Sequence, residues 1–286
     1  MQIVGSTAYD GRFANGARMA ANLSFAGAHS TERFYSDIHR VMVDRSRNDV
    51  LPPTSMEFAN WLAREFGRRA AGLSALDCGC GLHAFNIQSC KRSGFARNEA
   101  IDANPDLVAE LSGEIQNIQF RVGSVLEIPS GNEQFDLVIC SGVAHHTPDP
   151  LRAFHEIARV MKPGAIAYIS LYTFRRSLFD AFVRGIRVTS HVVPYGVARG
   201  MARHSRILNN FVLDHMYVPL LWLFTASDAR AELARAGLTV EADFPSSFDV
   251  FCGWPFGRFI SGDGLLRVFI CRKPQAYGST PDVRVS

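Results

Sequence analysis

Lysine is nearly absent from this 286-residue chain. Lys91, Lys162 and Lys273 are the only three among 30 basic residues, so arginine carries the positive charge. Against 27 acids the net charge is only +3, which gives no general electrostatic case for nucleic acid. Paired cysteines are missing as well. Of Cys78, Cys80, Cys90, Cys140, Cys252 and Cys271 only the first two are close, at a spacing that matches no zinc pattern, so no metal site is expected. They read as free, mostly buried thiols of a reducing compartment. Met1–Val4 lacks the charged start and long apolar run of a secretory leader. The longest apolar stretch, Met216–Phe224, is broken by Pro219 and falls well short of the ~20 residues that cross a bilayer. No internal repeat or low-complexity tract appears. These absences point to a soluble, cytoplasmic protein without stable membrane insertion.

The apolar content is 47%, enough for a full core and one elaboration. From Leu73 to about Thr173, strand-like and helix-like segments alternate at short intervals. Leu73–Cys78 reads as a strand, Phe85–Ser93 as a helix and Glu99–Ala103 as a strand. Pro105 opens a helix over Asp106–Ile115, and Ile118–Val122 and Phe135–Ser141 are apolar, β-branched strands. Pro150–Met161 has helical spacing and stops at Lys162-Pro163-Gly164, ahead of a buried strand at Ala165–Tyr172. Thr225 caps a short helix at Ala229–Ala236, and Leu238–Phe244 and Leu265–Cys271 close the series as strands. Such alternation implies a parallel, doubly wound α/β sheet. Met1–Ala70 is mostly helical in character, and Thr173–Phe224 is a long insertion.

Asp77-Cys78-Gly79-Cys80-Gly81-Leu82-His83 is the most informative stretch. A strand entering a glycine turn before a helix lets backbone and helix N-terminus approach a ligand closely. Asp102 closes the next strand, where a carboxylate can accept hydrogen bonds from a ribose diol. These features alone do not choose a cofactor: Gly79, Gly81 and Ala84 also satisfy the loose dinucleotide pattern of a nicotinamide enzyme.

Downstream, Phe135-Asp136-Leu137-Val138 is followed by His145-His146-Thr147-Pro148-Asp149-Pro150 and then by Arg159-Val160-Met161-Lys162-Pro163-Gly164. Here the sequence resembles class I S-adenosylmethionine-dependent methyltransferases, in the branch of ubiquinone/menaquinone C-methyltransferases and natural-product methyltransferases. The resemblance spans about Phe34 to Tyr172, and loosely Asp214–Leu238. It implies a Rossmann-like, seven-stranded mixed sheet between helices, with the last strand antiparallel and helical cap insertions. The parts would be an N-terminal helical cap (1–70), a cofactor-binding core (71–172), a lid or substrate insertion (173–224), a C-terminal completion of the sheet (225–274) and a flexible tail (275–286). It also implies S-adenosylmethionine as cofactor and a small molecule as methyl acceptor. Asp77, Gly79 and Gly81 would hold its methionine end and Asp102, with Ala103 beside it, the ribose. Ser124 and Val125 would flank the adenine, and Cys140 and Ser141 would close over the amino-acid part. The chain departs from the family at His83, Ser124 and Ala165, where a glycine, an acid and a glycine are usual.

Methyl transfer from a sulfonium is an in-line displacement, so the protein chiefly aligns donor and acceptor and excludes water. A base is needed only where the acceptor must lose a proton. His145 and His146, just past the fourth strand, have the pKa range for it, His146 being the preferred candidate. The other reading is that both shape the turn and cap the following helix. By resemblance, Tyr35 lies on a segment that folds over the cofactor, and Asp214 and Tyr217 line the acceptor pocket. Between Tyr172 and Val212 seven arginines, including Arg184 and Arg187, face one acid, Asp180. They form either a solvated outer face or an anion-recognising rim on an apolar lid. Two further functions stay open: a methyltransferase-like protein that binds the cofactor without transfer, fed by His83 and Ser124, and a nicotinamide oxidoreductase. A homodimer also stays open, since apolar cap residues could bury a partner as readily as a substrate.

Overall fold

The computed structural model describes residues 18–21, 53–173, 193–202, 218, 220–246 and 266–275. In chain order its elements are β1 (Arg18–Ala21), α1 (Pro53–Glu65), β2 (Ser74–Cys78), α2 (Phe85–Arg92), β3 (Arg97–Asp102), α3 (Pro105–Glu114), β4 (Gln119–Val122) and β5 (Phe135–Ser141). Then follow α4 (Pro150–Val160), β6 (Met161–Tyr172), α5 (Tyr195–Ala202), β7 (Leu220–Leu223), α6 (Ala226–Arg235), β8 (Thr239–Pro245) and β9 (Leu266–Arg272).

Seven strands form one sheet in the order β4-β3-β2-β5-β6-β9-β8. All neighbouring pairs from β4 to β6 are parallel, while β9 runs antiparallel to both β6 and β8. The expected mixed sheet with its last strand reversed is therefore present. Alternation of side chains sorts the sheet into two faces. On one, Ala75, Ala100, Leu137, Ile139 and Tyr168 pack with Phe58 and Leu62 of α1, Ile87 of α2 and Leu107 and Leu111 of α3. On the other, Leu76, Val138, Ala167 and Phe269 pack with Phe154 and Ile157 of α4 and Ala229 and Leu233 of α6. Each fully buried Leu, Ile, Val or Phe among them contributes ~1.5–3 kcal/mol, so both layers are strongly held.

The helix starts follow from side-chain chemistry. Asn104 accepts from the Asp106 and Leu107 N–H groups ahead of α3, with Pro105 at the first helical position, where its missing N–H costs nothing. Asp149 does the same for α4 through the Arg152 N–H at 3.1 Å. Thr225 accepts from the Asp228 N–H at 3.1 Å and donates its hydroxyl to the Asp228 carboxylate. Met161, expected in the helix, is instead the first residue of β6, paired with Phe135. Pro163 biases the residue before it away from helix, and Gly164 follows at φ 80°.

The N-terminal segment is not all helical: β1 pairs antiparallel with β7 in a separate two-stranded ribbon, Arg18 opposite Leu223 and Ala21 opposite Leu220. A distant ladder partner overrides local propensity there. The ribbon adjoins the main sheet through Thr173, bridged to Phe224, and through the Phe224 N–H donating to the Tyr172 carbonyl. Among the described residues no helix is long and apolar enough to cross a membrane.

Candidate functional site

β2 and β5 lie side by side, and from them the chain departs toward opposite edges of the sheet. Ligands of open α/β sheets bind beyond the strand ends at such a switch point. The turn after β2 is held there by its own backbone: the Gly79 and Cys80 N–H groups both donate to the Ile101 carbonyl, at 2.8 and 3.1 Å. Gly79 has φ 73°, and a Cβ on it would stand 2.5 Å from a methyl carbon of Val143, in the turn after β5. The two loops of the switch point therefore touch, and only glycine permits it. Gly81, at φ 64°, faces open space. At the position after His83 the left-handed conformation falls on Ala84, φ 45° and buried, immediately before α2. His83 itself stacks on Phe85, ring centroids 4.8 Å apart.

Two carboxylates serve this turn. Asp102 accepts from the Gly81 N–H at 3.2 Å and, through its other oxygen, from the Asn104 N–H at 3.0 Å, spanning Ala103. Each carboxylate oxygen has further lone-pair capacity, so a diol can still be bound. Asp77 is buried to 1% exposure, and its Oδ2 has no hydrogen-bond partner among the described residues. Burial pushes its carboxyl up to about 7; the Asp102 charge adds to this and the Ile87 backbone N–H opposes it. An orphaned, buried acceptor beside a second acid is chemically suited to a cationic ligand group. A cofactor carrying an ammonium and a ribose diol fits this pair.

Of the remaining cofactor candidates, Ser124 and Ser141 are half-buried and Val125 and Cys140 buried. Ser124 turns inward on its own loop, its Oγ accepting from the Leu126 N–H at 3.2 Å. Val125 and Cys140 are buried in the core layer of α4. Ser141 Oγ lies 3.1 Å from Ser170 Oγ. Burial also lifts the Cys140 thiol to about 12, and Cys78, Cys80 and Cys90 are raised too, so none is a ready thiolate.

His145 and His146 sit in a single 3-10 turn, Ala144–His146, both buried. They do not cap α4, a role filled by Asp149. Their rings are 4.1 Å apart, and Tyr172 at the end of β6 contacts both, at 4.5 and 5.7 Å. His146 Nδ1 is 2.9 Å from the Leu220 carbonyl of β7, and Trp222 Nε1 donates to the Thr147 carbonyl at 2.9 Å. Leu220, Trp222, Tyr172 and Val143 had no sequence signal: each meets the site through tertiary contact, without a motif of its own. Tyr35, Asp214, Tyr217 and the insertion arginines Arg184 and Arg187 lie outside the described residues. Among the described residues no three His, Cys, Asp or Glu side chains gather as a metal site.

With this geometry, comparison with known proteins is informative. Residues 76–169 match a family model described as a methyltransferase domain. A ubiquinone biosynthesis O-methyltransferase of Xanthomonas oryzae pv. oryzae is 34% identical over 131 residues, 44% of this chain and 54% of that protein. A Xanthomonas campestris counterpart is 30% identical over the same length. The chain thus spans about half the length of the curated relatives it matches. Among solved structures, the Burkholderia thailandensis 1,6-didemethyltoxoflavin-N1-methyltransferase superposes with TM-score 0.54 at 16% identity, covering 91% of this chain and 94% of that one. The (4+2)-cyclase SpnF superposes with TM-score 0.52 at 16% identity, covering 77% and 81%. The chain therefore has the Rossmann-like α/β fold of class I methyltransferases, and its residues 76–169 are similar to a methyltransferase domain.

Proposed function

We propose that the protein transfers a methyl group from S-adenosylmethionine to an O, N or C atom of a small biosynthetic metabolite. The observation that carries this reading is the pair Asp77 and Asp102 at the ends of adjacent strands, one with an orphaned buried oxygen and the other supporting the glycine turn. The matched methyltransferase domain supports it, and the ubiquinone O-methyltransferase relatives favour oxygen as the acceptor atom. A net charge of +3 supports a small molecule over nucleic acid. Five free thiols among the described residues go with a cytoplasmic location.

When bound, the cofactor supplies an electrophilic methyl on a sulfonium, the reactive group of the displacement. The chain's residues do the rest. Asp77 holds the ammonium of the methionine end and Asp102 the ribose diol. The backbone of Gly79 and Gly81 lets the ligand lie close. His146 accepts or orients the acceptor's proton, which supports attack by a hydroxyl or amine.

The test is calorimetry with S-adenosylhomocysteine. Asp102→Ala removes charge-assisted hydrogen bonds of ~1.5–3 kcal/mol each, so affinity falls ~10²-fold or more. Unchanged affinity overturns the assignment, and protection by NADH instead would favour an oxidoreductase. A second reading, cofactor binding without transfer, is favoured by His83 and by the strained Ala84 after it. It predicts tight S-adenosylhomocysteine binding with no product from any acceptor in a mass-spectrometric screen using labelled cofactor.

A further inference from the structure

The histidine turn is held twice at its C-terminal end, at His146 and Thr147, by one strand that lies outside the residues matching the methyltransferase-domain family. Strand β7 offers the Leu220 carbonyl to His146 Nδ1 at 2.9 Å. Two residues on, along the same strand, the Trp222 indole N–H reaches the Thr147 carbonyl, also at 2.9 Å. A carbonyl oxygen can only accept, so Nδ1 must carry the proton. The neutral ring's lone pair is thereby assigned to Nε2, as a second group often does for a histidine that accepts protons. Tyr172 closes the stack from β6, edge-on to His146 at 84°. Trp222 is only 5% exposed and packs in the core with Phe154 and Phe224. A buried indole N–H requires a partner, and the carbonyl directly after His146 is the one it has found.

We propose that Trp222 is a positioning residue for the reaction, fixing the turn of His146 against β7 so that Nε2 is the ring's proton-accepting atom. The proposal rests on the methyltransferase reading for its kinetic consequence, but not for its structural one. Removing the indole N–H frees the Thr147 carbonyl, and the turn can then shift its register relative to Leu220. A ring that leaves the Leu220 carbonyl can carry its proton on either nitrogen.

The experiment uses the full chain and two variants, Trp222→Phe and Trp222→Tyr, with nitrogen-15 NMR of the imidazoles. In the wild-type protein, His146 is expected as the Nδ1–H tautomer; an Nε2–H ring overturns the proposal whatever the variants do. In Trp222→Phe the signal is expected to become a mixture of tautomers. Thermal melting and S-adenosylhomocysteine affinity serve as fold controls and should hold within about twofold in affinity. With a methylated acceptor in hand, kcat should fall ~10-fold or more at unchanged cofactor KM, with the acidic limb of its pH profile displaced. Trp222→Tyr, whose hydroxyl can again donate, should recover part of the loss. A pure His146 Nδ1–H signal and unchanged kcat in Trp222→Phe would reject the positioning role while leaving the methyltransferase reading intact. Conversely, a wild-type chain that methylates nothing fails that reading, and the tautomer measurement still judges the clamp.

Discussion

At the scale of single residues, the buried carboxyl of Asp77 ties the proposed site to pH. Its carboxyl titrates at about 7 in the folded chain against 3.8 for an ordinary aspartate. Between those values the native state holds a proton that the unfolded state has lost. Stability from this group is therefore highest below 3.8, falls as pH rises toward 7, and is flat above it. Asp77→Asn should abolish this slope in thermal melts and raise Tm at pH 8, while weakening cofactor binding. The same proton answers to the ligand. A bound ammonium favours the ionised form, so at pH 6 binding should release about one proton, and at pH 8 almost none. Calorimetry in buffers of different ionisation enthalpy reads this directly; equal heats across buffers at pH 6 would refute it. Gly79 makes a second residue-scale prediction. A Cβ would meet Val143 at 2.5 Å on a backbone at φ 73°, so Gly79→Ala should cost ~2–3 kcal/mol of stability. Gly81→Ala, with open space around it, should cost ~1 kcal/mol and show chiefly as lost cofactor affinity.

At the scale of elements, the motifs that carried the resemblance turn out to be mostly scaffolding. Asp136 of the Phe135-Asp136 pair accepts from the Ser74 N–H and hydroxyl, at 2.9 and 2.7 Å, and from Lys162 at 2.6 Å. It thereby ties the starts of β2, β5 and β6 together, at the edge away from the ligand end. Those hydrogen bonds and the lysine outweigh partial burial and hold its carboxyl below the usual range. Arg159 similarly binds Glu156 and the Ile128 and Ser130 carbonyls, while Glu156 accepts from the Ile128 N–H. Asp136→Ala should lower stability by ~1–2 kcal/mol, an amount discounted for the partly exposed lysine, and leave S-adenosylhomocysteine affinity unchanged. That stability term is present above pH 3.8 and is lost as pH falls through the depressed native value. This explains why the fold was so legible. Caps, breakers and strand runs are local, and β2 to β6 with their helices, α6, β8 and β9 fall within a few residues of their expected limits, whereas α5 and β7 lie in the insertion, where neither was expected. The histidine turn was legible as a turn, but its partners were not. Leu220 and Trp222 lie over 70 residues away. No local period marks a carbonyl or an indole as belonging to a distant loop.

At the scale of the whole molecule, the sheet's central strands are enclosed by helices on both faces and its flanks are not. The residues of β5 and β6 from Leu137 to Cys140 and from Ala165 to Tyr172 are buried throughout, whereas β8 exposes Thr239, Glu241 and Ala242. Amide hydrogen exchange should therefore be slowest in β5 and β6 and fastest in β8 and in the β1–β7 ribbon. A ribbon as protected as β5 would mean that it folds as one unit with the core.

The reversed strand β9 has a consequence for how the chain is made. Among the described residues it is the last strand in chain order, yet it occupies an interior slot between β6 and β8. Until residues 266–272 have left the ribosome, β6 has an open hydrogen-bonding edge of seven residue positions, from Ile166 to Tyr172, and β8 has nothing to pair with. A nascent chain stalled before that point presents a long, apolar edge strand to its neighbours, the arrangement most prone to sheet-to-sheet association. Late insertion of one strand thus makes the emergence of β9, rather than of the earlier β/α repeats, the step that closes this edge against association.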